Sequence, residues 1–341
     1  MVTIYDIAKQ ANVSAMTVSR VINNSGRISE HTRTKVMSMM QEMNYVPNSV
    51  ARSLVKQKSM ILSLLIPDIA NPFFTTLARG AEDMAKNGGY KLLFGNSDED
   101  CEKERDYLEM IVSTRVDGVL LAPAGDRSLQ NLQFLEKHKV PFVMLDREVP
   151  GIQSDRVVGD SKAGAMKLME HLIDLGHRRI ALINGHSDVS TARLRYAGYV
   201  ESLAQYHIPY DPHLVITTGF KSSDQFPELE SLLFIPDPPT ALFAANNFIA
   251  IEVMRTLRKL NIQVPDQISV VSFDDMGEHL TIDPFLTAVT QPAYQFGNLG
   301  MKLLIERIQG AERPTHEQIV LQSQLIVRNS TQPPPLMEKK G

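Results

Sequence analysis

Residues 3–21, with the sequence TIYDIAKQANVSAMTVSRV, decide the fold of the amino-terminal part of the chain. Apolar side chains at positions 4, 7, 8 and 11 recur every three or four residues, which predicts a first helix with one buried face. After a two-residue turn, Ser14 can accept hydrogen bonds from the free N–H groups that begin a second helix, whose Val18 and Val21 point to the core. The outer face of this second helix is small, polar and basic, which suits a DNA major groove. An ordinary helical hairpin has the same periodicity.

The amino-terminal segment is also distinct in charge. Residues 1–60 carry eight Lys and Arg against three Asp and Glu, a net charge of +5, whereas the whole 341-residue chain carries −4. A basic segment joined to an acidic remainder indicates a polyanionic partner at that segment alone. An unevenly charged solvated surface is the alternative, and the coincidence of the basic excess with the helix-turn-helix pattern favours DNA.

Length and composition indicate a globular protein of two or three domains. Its 43% hydrophobic and 22% charged residues are ordinary values, and the sequence contains no apolar run long enough to span a membrane. Cys101, the one cysteine, lies in the acidic run 98–102, so we expect neither an internal disulfide nor an activated nucleophile there. Because the chain starts with a helix-turn-helix pattern rather than a signal peptide, we expect a cytoplasmic protein.

From residue 59 onward, apolar runs alternate with amphipathic helices, which predicts an α/β fold with parallel sheets covered on both faces. Eight such units exceed one sheet, so we expect two sheets with a ligand cleft beyond the carboxyl ends of their strands. The predicted strands are 60–66, 91–95, 117–122, 141–145, 178–184, 213–218, 240–245 and 268–273. The predicted domains are a helix-turn-helix head at 1–47, a hinge helix or linker at 48–58, a body at 59–331 and a disordered tail at 332–341. The body divides into subdomains of roughly 59–160 plus 291–320 and 161–290 plus 321–331.

Several short motifs follow one another along the chain. They are VSxxTVSRV at 13–21, YVPN at 45–48, ARSL at 51–54, PDIANPFF at 67–74, LDR at 145–147, RxRxxGY at 193–199, AN at 245–246, VSFDD at 271–275 and TQP at 290–292. In this order and spacing, they make the chain resemble the lactose-repressor/galactose-repressor (LacI/GalR) family over residues 2–331. The resemblance implies a three-helix DNA-binding head, a body like periplasmic sugar-binding proteins, and a homodimer that binds a pseudo-palindromic operator.

The resemblance also implies which residues contact double-stranded DNA. Ala15, Met16 and Arg20 correspond to the base-reading face, where the two apolar residues can touch thymine methyl groups and Arg20 can bind a guanine. Leu54, on the hinge helix, corresponds to a wedge that unstacks the central base step from the minor groove. The alternatives are that Ala15 and Met16 are merely tolerated at the surface and that Leu54 is a packing residue. The other implied contacts are Tyr5, Ser14, Thr17, Asn23 and Arg27 on phosphates, and Asn48, Ala51 and Arg52 at the hinge.

A small-molecule effector is implied between the two subdomains. Carboxylates and amides bind vicinal hydroxyls, arginine binds two oxygens at once, and aromatic rings cover a sugar face, so we expect a sugar or sugar derivative. Asp146 could instead pair with Arg147, the two phenylalanines could be core residues, and Asp274 could cap a loop. Asn247 departs from the family, whose members often carry an acid there, which puts the effector's identity in doubt. The implied cleft residues are Phe73, Asp146, Arg195, Phe220, Asn246, Asp274 and Gln291.

The predicted function is therefore that of a transcriptional regulator, a repressor, whose operator affinity changes when a small molecule closes the cleft. A purine in the cleft or a protein corepressor is the alternative means of control. A pure solute-binding protein would explain residues 60–331 but not the basic head. An enzyme is disfavoured because the sequence has no GxSxG elbow, no phosphate loop and no paired metal-ligand spacing. We expect no cofactor, no metal and no membrane partner.

Overall fold

The computed structural model describes residues 2–45, 58–219, 226–276, 283–310 and 315–335. The chain divides into two compact units, Met1–Met60 and Ile61–Gly341. Several residues with predicted roles lie outside the described residues, so their predicted roles stay predictions. These are Asn48, Ala51, Arg52 and Leu54 of the hinge and Phe220 of the cleft.

Three helices form the described part of the amino-terminal unit: α1 (Ile4–Gln10), α2 (Ala15–Ile22) and α3 (Glu30–Glu42). The N–H of Thr17 donates to the hydroxyl of Ser14 over 3.1 Å, which caps α2 as predicted. Side chains from all three helices fill one small core, in which Ile7, Val18 and Val36 are fully buried. The predicted helix-turn-helix head is confirmed.

Two six-stranded sheets form the framework of the larger unit, within its described ranges. The first sheet consists of β1 (Ile61–Ile66), β2 (Lys91–Asn96), β3 (Gly118–Leu121), β4 (Phe142–Leu145), β5 (Asp155–Gly159) and β11 (Gln318–Leu321). The second sheet consists of β6 (Ile180–Asn184), β7 (Val215–Thr217), β8 (Ala241–Ala244), β9 (Ser269–Phe273), β10 (Thr287–Thr290) and β12 (Gln324–Ile326). Their strand orders are β11-β5-β4-β3-β1-β2 and β12-β10-β9-β8-β6-β7, and every pair is parallel except β10 with β12.

Helices cover these sheets. The first sheet carries α4 (Pro72–Asn87), α5 (Cys101–Ser113), α6 (Leu129–Lys137) and α11 (Ala293–Ile308), and the second carries α7 (Ser161–Asp174), α8 (Ser190–Gln205), α9 (Pro227–Leu233) and α10 (Asn247–Lys259). Each sheet with its helices is called a lobe below. In the first lobe α4 and α11 approach so closely that a Cβ on Gly297 would lie 1.9 Å from the Leu77 carbonyl oxygen, so only glycine fits there. Two parallel-sheet lobes confirm the predicted α/β fold class.

The two sheets have corresponding strand positions: β4 is the third strand of the first sheet, counted from β11, and β9 is the third strand of the second, counted from β12. The chain passes from the first lobe to the second after β5, returns after β10, and passes again between Leu321 and Gln324. The carboxyl ends of β4 and β9 line one common cavity, through Asp146 and Asp274. Such ends are where open α/β sheets bind ligands.

The structure departs from the predicted elements at several places. The eight predicted strands are present, but β5, β10, β11 and β12 were not predicted. The tail prediction also fails at its start, because the Gln332 carbonyl oxygen lies 2.9 Å from His177 Nε2 and accepts a hydrogen bond from Ser269 Oγ over 3.0 Å. The chain is therefore fixed to the second sheet beyond residue 331. Residues 336–341 lie outside the described residues.

Candidate DNA-binding helices and effector cleft

The outer face of α2 is open to solvent. Met16 and Arg20, one helical turn apart, are both exposed, and Met16 keeps 64% of its surface. Arg20 extends past Gly26, whose backbone has a φ of +73° that favours glycine. Ala15 is half-buried beside them. A long apolar and a long cationic side chain thus share the face that the sequence predicts to read bases.

The predicted phosphate contacts surround this face with different degrees of exposure. Tyr5 is 73% exposed, and Ser14 and Arg27 are also exposed. Thr17 and Asn23 are half-buried and bonded locally: the Thr17 hydroxyl lies 2.9 Å from Ser14 Oγ, and Asn23 Nδ2 donates to Ser19 Oγ over 3.3 Å. The contact between the Ser14 and Thr17 hydroxyls uses one of their two protons, so the other can still donate to a phosphate oxygen.

Six predicted cleft residues belong to, or directly follow, elements that border the cavity between the lobes. Phe73 is in the first turn of α4, Asp146 follows β4, and Arg195 is on α8. Asn246 caps α10 through a 2.7 Å hydrogen bond from the Ile249 N–H. Asp274 follows β9, and Gln291 follows β10. All of them except Gln291 line the cavity directly: Phe73, Asp146, Arg195, Asn246 and Asp274.

Asp146 and Asp274 are related by the equivalence of the two lobes. Both are buried, and both have left-handed backbone conformations, with φ of +60° and +62°. This conformation costs most L-residues free energy, but aspartate tolerates it better than β-branched residues do. The turn after each strand therefore directs one carboxylate from each lobe at the same cavity.

Arg195 is paired with one of these carboxylates, Asp274. Its Nη1 donates to the Ala245 carbonyl oxygen over 2.5 Å, and its Nη2 donates to Asp274 Oδ2 over 3.4 Å. The guanidinium carbon lies 3.7 Å from the centre of the Phe273 ring, a cation–π contact. Within the part of the chain that the structure describes, its buried Nε has no hydrogen-bond partner. Gln291 holds the other oxygen of the Asp274 carboxylate, donating from Nε2 to Oδ1 over 2.8 Å.

Burial dominates the electrostatics of this cleft. It raises the pKa of Asp146 to about 6, although Arg147 and Arg195 act in the opposite direction. Burial also raises the pKa of Asp274 and lowers the pKa of Arg195. Because each charged form is desolvated, a ligand hydroxyl that donates to the carboxylates would replace hydration that they lack.

The alternative of an internal ion pair for Asp146 receives limited support. Arg147 Nε lies 3.8 Å from Asp146 Oδ2, whereas Arg147 Nη2 donates to Glu99 over only 2.6 Å. Its Nη1 is bonded to two main-chain carbonyls, those of Pro123 and Ala124. Arg147 is thus oriented mainly by Glu99 and the backbone, which leaves the Asp146 carboxylate directed at the cavity.

The alternative of a core role for Phe73 receives more support. Its ring packs edge-on against Phe74 and Phe296, at centroid distances of 5.1 and 5.3 Å, and only 8% of its surface is exposed. Phe73 nevertheless lines the cavity. It therefore belongs both to the core of the first lobe and to the cleft wall.

Sequence reasoning missed several cavity-lining residues. One of them, Asn71, lay inside a quoted motif and is recognisable as an N-cap before Pro72, a common helix start. Asn247 does not line the cavity; its buried side chain instead pairs with Asn71 across the lobes. The missed lining residues are Asp68, Asn71, Phe74, Glu99, Arg147, Thr191 and Phe248.

The cavity enclosed by these residues is small. Its volume is about 20 Å³, room for about one water molecule. Polar side chains of the two lobes bond to each other beside it, as Asn71 does with Asn247. A sugar-sized molecule therefore requires the lobes or these side chains to move apart.

The described residues lack two further features. None of their His, Cys, Asp and Glu side chains group in threes as a metal site would need. None of their helices is long and apolar enough to cross a membrane.

Comparison with known proteins agrees with this geometry. Residues 3–48 match the bacterial regulatory proteins of the lacI family, and residues 169–331 match a periplasmic binding protein-like domain. The chain is 36% identical to the HTH-type transcriptional regulator DegA of Bacillus subtilis, over 97% of this chain and 98% of DegA. It is also 36% identical to the ribose operon repressor of Halalkalibacterium halodurans, over 97% of each chain.

A solved structure extends the comparison to the whole fold. The Lac repressor dimer bound to operator and the anti-inducer ONPF superposes with a TM-score of 0.82 at 28% identity, over 97% of this chain and 99% of that one. These relatives are regulators rather than enzymes. The protein therefore belongs to the LacI family and is a DNA-binding transcriptional repressor with a periplasmic-binding-protein-like body.

Proposed function

We propose that this repressor binds a pseudo-palindromic operator as a homodimer in the cytoplasm and that a sugar or sugar derivative in the cleft controls its operator affinity. The observation that carries the proposal is the convergence of Asp146, Arg195, Asn246 and Asp274 from both lobes on one cavity. A ligand that bonds to both lobes at once fixes their relative angle, which is the property that an effector of a two-lobed regulator needs.

The chemistry of the cleft favours a polyhydroxylated ligand. The Asp146 and Asp274 carboxylates can each accept two hydroxyl protons, and Arg195 offers a ring or hydroxyl oxygen its Nε–H, which has no partner among the described residues. Phe73 supplies an apolar surface for one sugar face. A relative of similar length is named a ribose operon repressor, which agrees with a sugar.

A purine is the second candidate. Phe248 lines the same cavity as Phe73, and two aromatic side chains could hold a planar base between them. The two buried carboxylates favour the sugar, because a purine has few N–H donors to satisfy them. A protein corepressor remains the other candidate for control.

In the proposed DNA complex, Arg20 donates to a guanine, and Ala15 and Met16 contact thymine methyl groups. Leu54 enters the minor groove as a wedge, and the bend that it allows brings more protein against the backbone. The other proposed DNA contacts are Tyr5, Ser14, Thr17, Asn23, Arg27, Asn48, Ala51 and Arg52.

Effector binding and operator binding are thermodynamically linked in this proposal. The effector changes the angle between the lobes, which changes the spacing of the two hinge segments in the dimer and so permits or prevents their helix formation. An effector that weakens operator binding by some factor must itself be bound more weakly, by the same factor, in the presence of operator.

A thermal-shift panel tests the effector class. Full-length protein is melted with single pentoses, hexoses, disaccharides, sugar phosphates and purines, because a ligand that binds only the folded state raises the melting temperature. We expect a sugar to stabilise the wild type and not Asp274→Asn. Stabilisation by a purine alone would contradict the sugar proposal.

A further inference from the structure

We propose that the amide pair Asn71–Asn247 is a latch that holds the two lobes together and sets how often the cleft opens. This inference rests on the proposed function only in the identity of the molecule that enters the open cleft. Asn71 caps α4 in the first lobe, and Asn247 is the first residue of α10 in the second, 176 positions away. Asn247 Nδ2 donates to Asn71 Oδ1 over 3.0 Å, and Asn71 Nδ2 donates back to Asn247 Oδ1 over 3.3 Å.

Local hydrogen bonds fix the orientation of both amides. The Phe73 N–H donates to Asn71 Oδ1 over 3.0 Å, and the Phe248 N–H donates to Asn247 Oδ1 over 2.9 Å. Each oxygen is therefore identified by the main-chain N–H from which it accepts at the start of a helix, and each NH₂ group is left for the other lobe. Asn71 and Asn247 are 8% and 1% exposed, so the pair forms away from solvent.

An ion pair between the lobes, Arg193 with Asp126, is more exposed. Arg193 donates to both oxygens of Asp126 over 2.7 and 3.1 Å, but these side chains are 37% and 35% exposed. Water and salt replace such an ion pair at little cost when the lobes separate. The buried amide pair has a larger effect, because its hydrogen bonds form in a low-dielectric interior.

The pairing also gives a reason for the amide at position 247. A carboxylate there would place an oxygen where Asn247 Nδ2 now lies, 3.0 Å from Asn71 Oδ1. Two acceptors at that distance repel each other. Asn247 is thus matched to Asn71, and an acid would favour separated lobes.

Hydrogen exchange at amides remote from the pair tests the latch. The Asp126 N–H donates to the Asp188 carbonyl oxygen over 2.8 Å, and the Glu148 N–H donates to Ser190 Oγ over 2.9 Å. Both bonds cross between the lobes, so both amides exchange when the lobes open. Exchange is measured at single-residue resolution on full-length protein without DNA or small molecules.

Three variants and a control separate the latch from local effects. Asn247→Ala and Asn71→Ser each remove the pair, and serine keeps the cap of α4. We expect each to speed exchange at residues 126 and 148 by about 3- to 10-fold, which is the effect of losing one or two buried hydrogen bonds. The double variant should be no faster than the faster single variant. Asn87→Asp, at the exposed carboxyl end of α4, should leave exchange unchanged.

Two results would overturn the latch. One is unchanged exchange at residues 126 and 148 in both single variants. The other is a double variant whose acceleration equals the product of the two single effects, because the residues would then act independently. Exchange within β6 reports whether a variant is folded. Since no effector is present, a panel of compounds that all fail to act would refute the proposed function without touching this result.

Discussion

Replacing Asp146 with asparagine should stabilise the effector-free protein at pH 7.5. Burial raises the pKa of this carboxyl from 3.8 to about 6, and that value already includes the opposing attraction of Arg147 and Arg195. Asparagine has nearly the same shape, carries no charge to desolvate, and tolerates the left-handed φ of +60° at this position. The variant therefore removes the desolvation of a charge while preserving the turn after β4.

The size of the effect follows from linkage between the pKa and stability. The folded protein binds this proton more tightly than the unfolded chain, so stability is highest below about pH 4 and falls as the pH rises through about 6. The difference between the pKa values of 3.8 and about 6, at about 1.36 kcal/mol for each pKa unit, corresponds to about 3 kcal/mol of stability lost above that pH range. The stability gained by Asp146→Asn should therefore be about 3 kcal/mol at pH 7.5 and much smaller at about pH 4.

Urea denaturation followed by circular dichroism provides the measurement, since the chain has no tryptophan. Asp155→Asn is the matched control: Asp155 is also buried, but it accepts hydrogen bonds of 2.7 and 2.9 Å from Arg307, so this substitution should destabilise at both pH values. A variant at position 146 that is as stable as the wild type, or less stable, at pH 7.5 would refute the assignment of Asp146 as a desolvated ligand-binding carboxylate.

Four further predictions concern DNA binding and its control. Leu54→Ala should weaken operator binding by about tenfold or more while leaving effector binding unchanged, and equal operator affinity by fluorescence anisotropy would exclude the wedge. Arg20→Ala should cost about 1–3 kcal/mol of operator binding and relax preference at one base pair, as measured with substituted operators. Arg195→Ala should abolish the effector's influence on DNA while the head still binds, so a normal response would remove Arg195 from the site. Raising salt from about 50 to about 200 mM should weaken operator binding by about 10³-fold or more, and a flat salt dependence would argue against phosphate contacts.

The head was predictable because its signals are local. Ser14 caps the helix that begins with the next residue, and the buried side chains Ile7, Ala8 and Ala11 recur at helical spacing. The central strands were equally visible, because strands buried on both faces are continuous apolar runs such as 61–66. The missed strands lack that signal: β5 begins with Asp155-Arg156, and the edge strand β11 is half exposed along its length.

The cleft was predictable in part. Asp146, Asn246 and Asp274 each follow a predicted apolar run, so their common edge of the sheets could be inferred. The contacts around these residues could not be inferred from the sequence. Arg195 donates to the main chain of Ala245, and Asn71 bonds to Asn247, 176 positions away. The first pairing depends on how distant elements pack within one lobe and the second on how the two lobes come together, and periodicity within one element encodes neither. The small size of the cavity is likewise a property of the assembled lobes.

Fluorescence anisotropy of the full-length protein on its own upstream promoter DNA, with sugars, sugar phosphates and purines added singly, tests the central claim that the cleft controls operator binding. We expect tight, salt-sensitive binding that one sugar or sugar derivative weakens or strengthens in the wild type and leaves unchanged in Arg195→Ala. Tight binding that none of these compounds alters, or an equal response in the variant, would contradict control through this cleft.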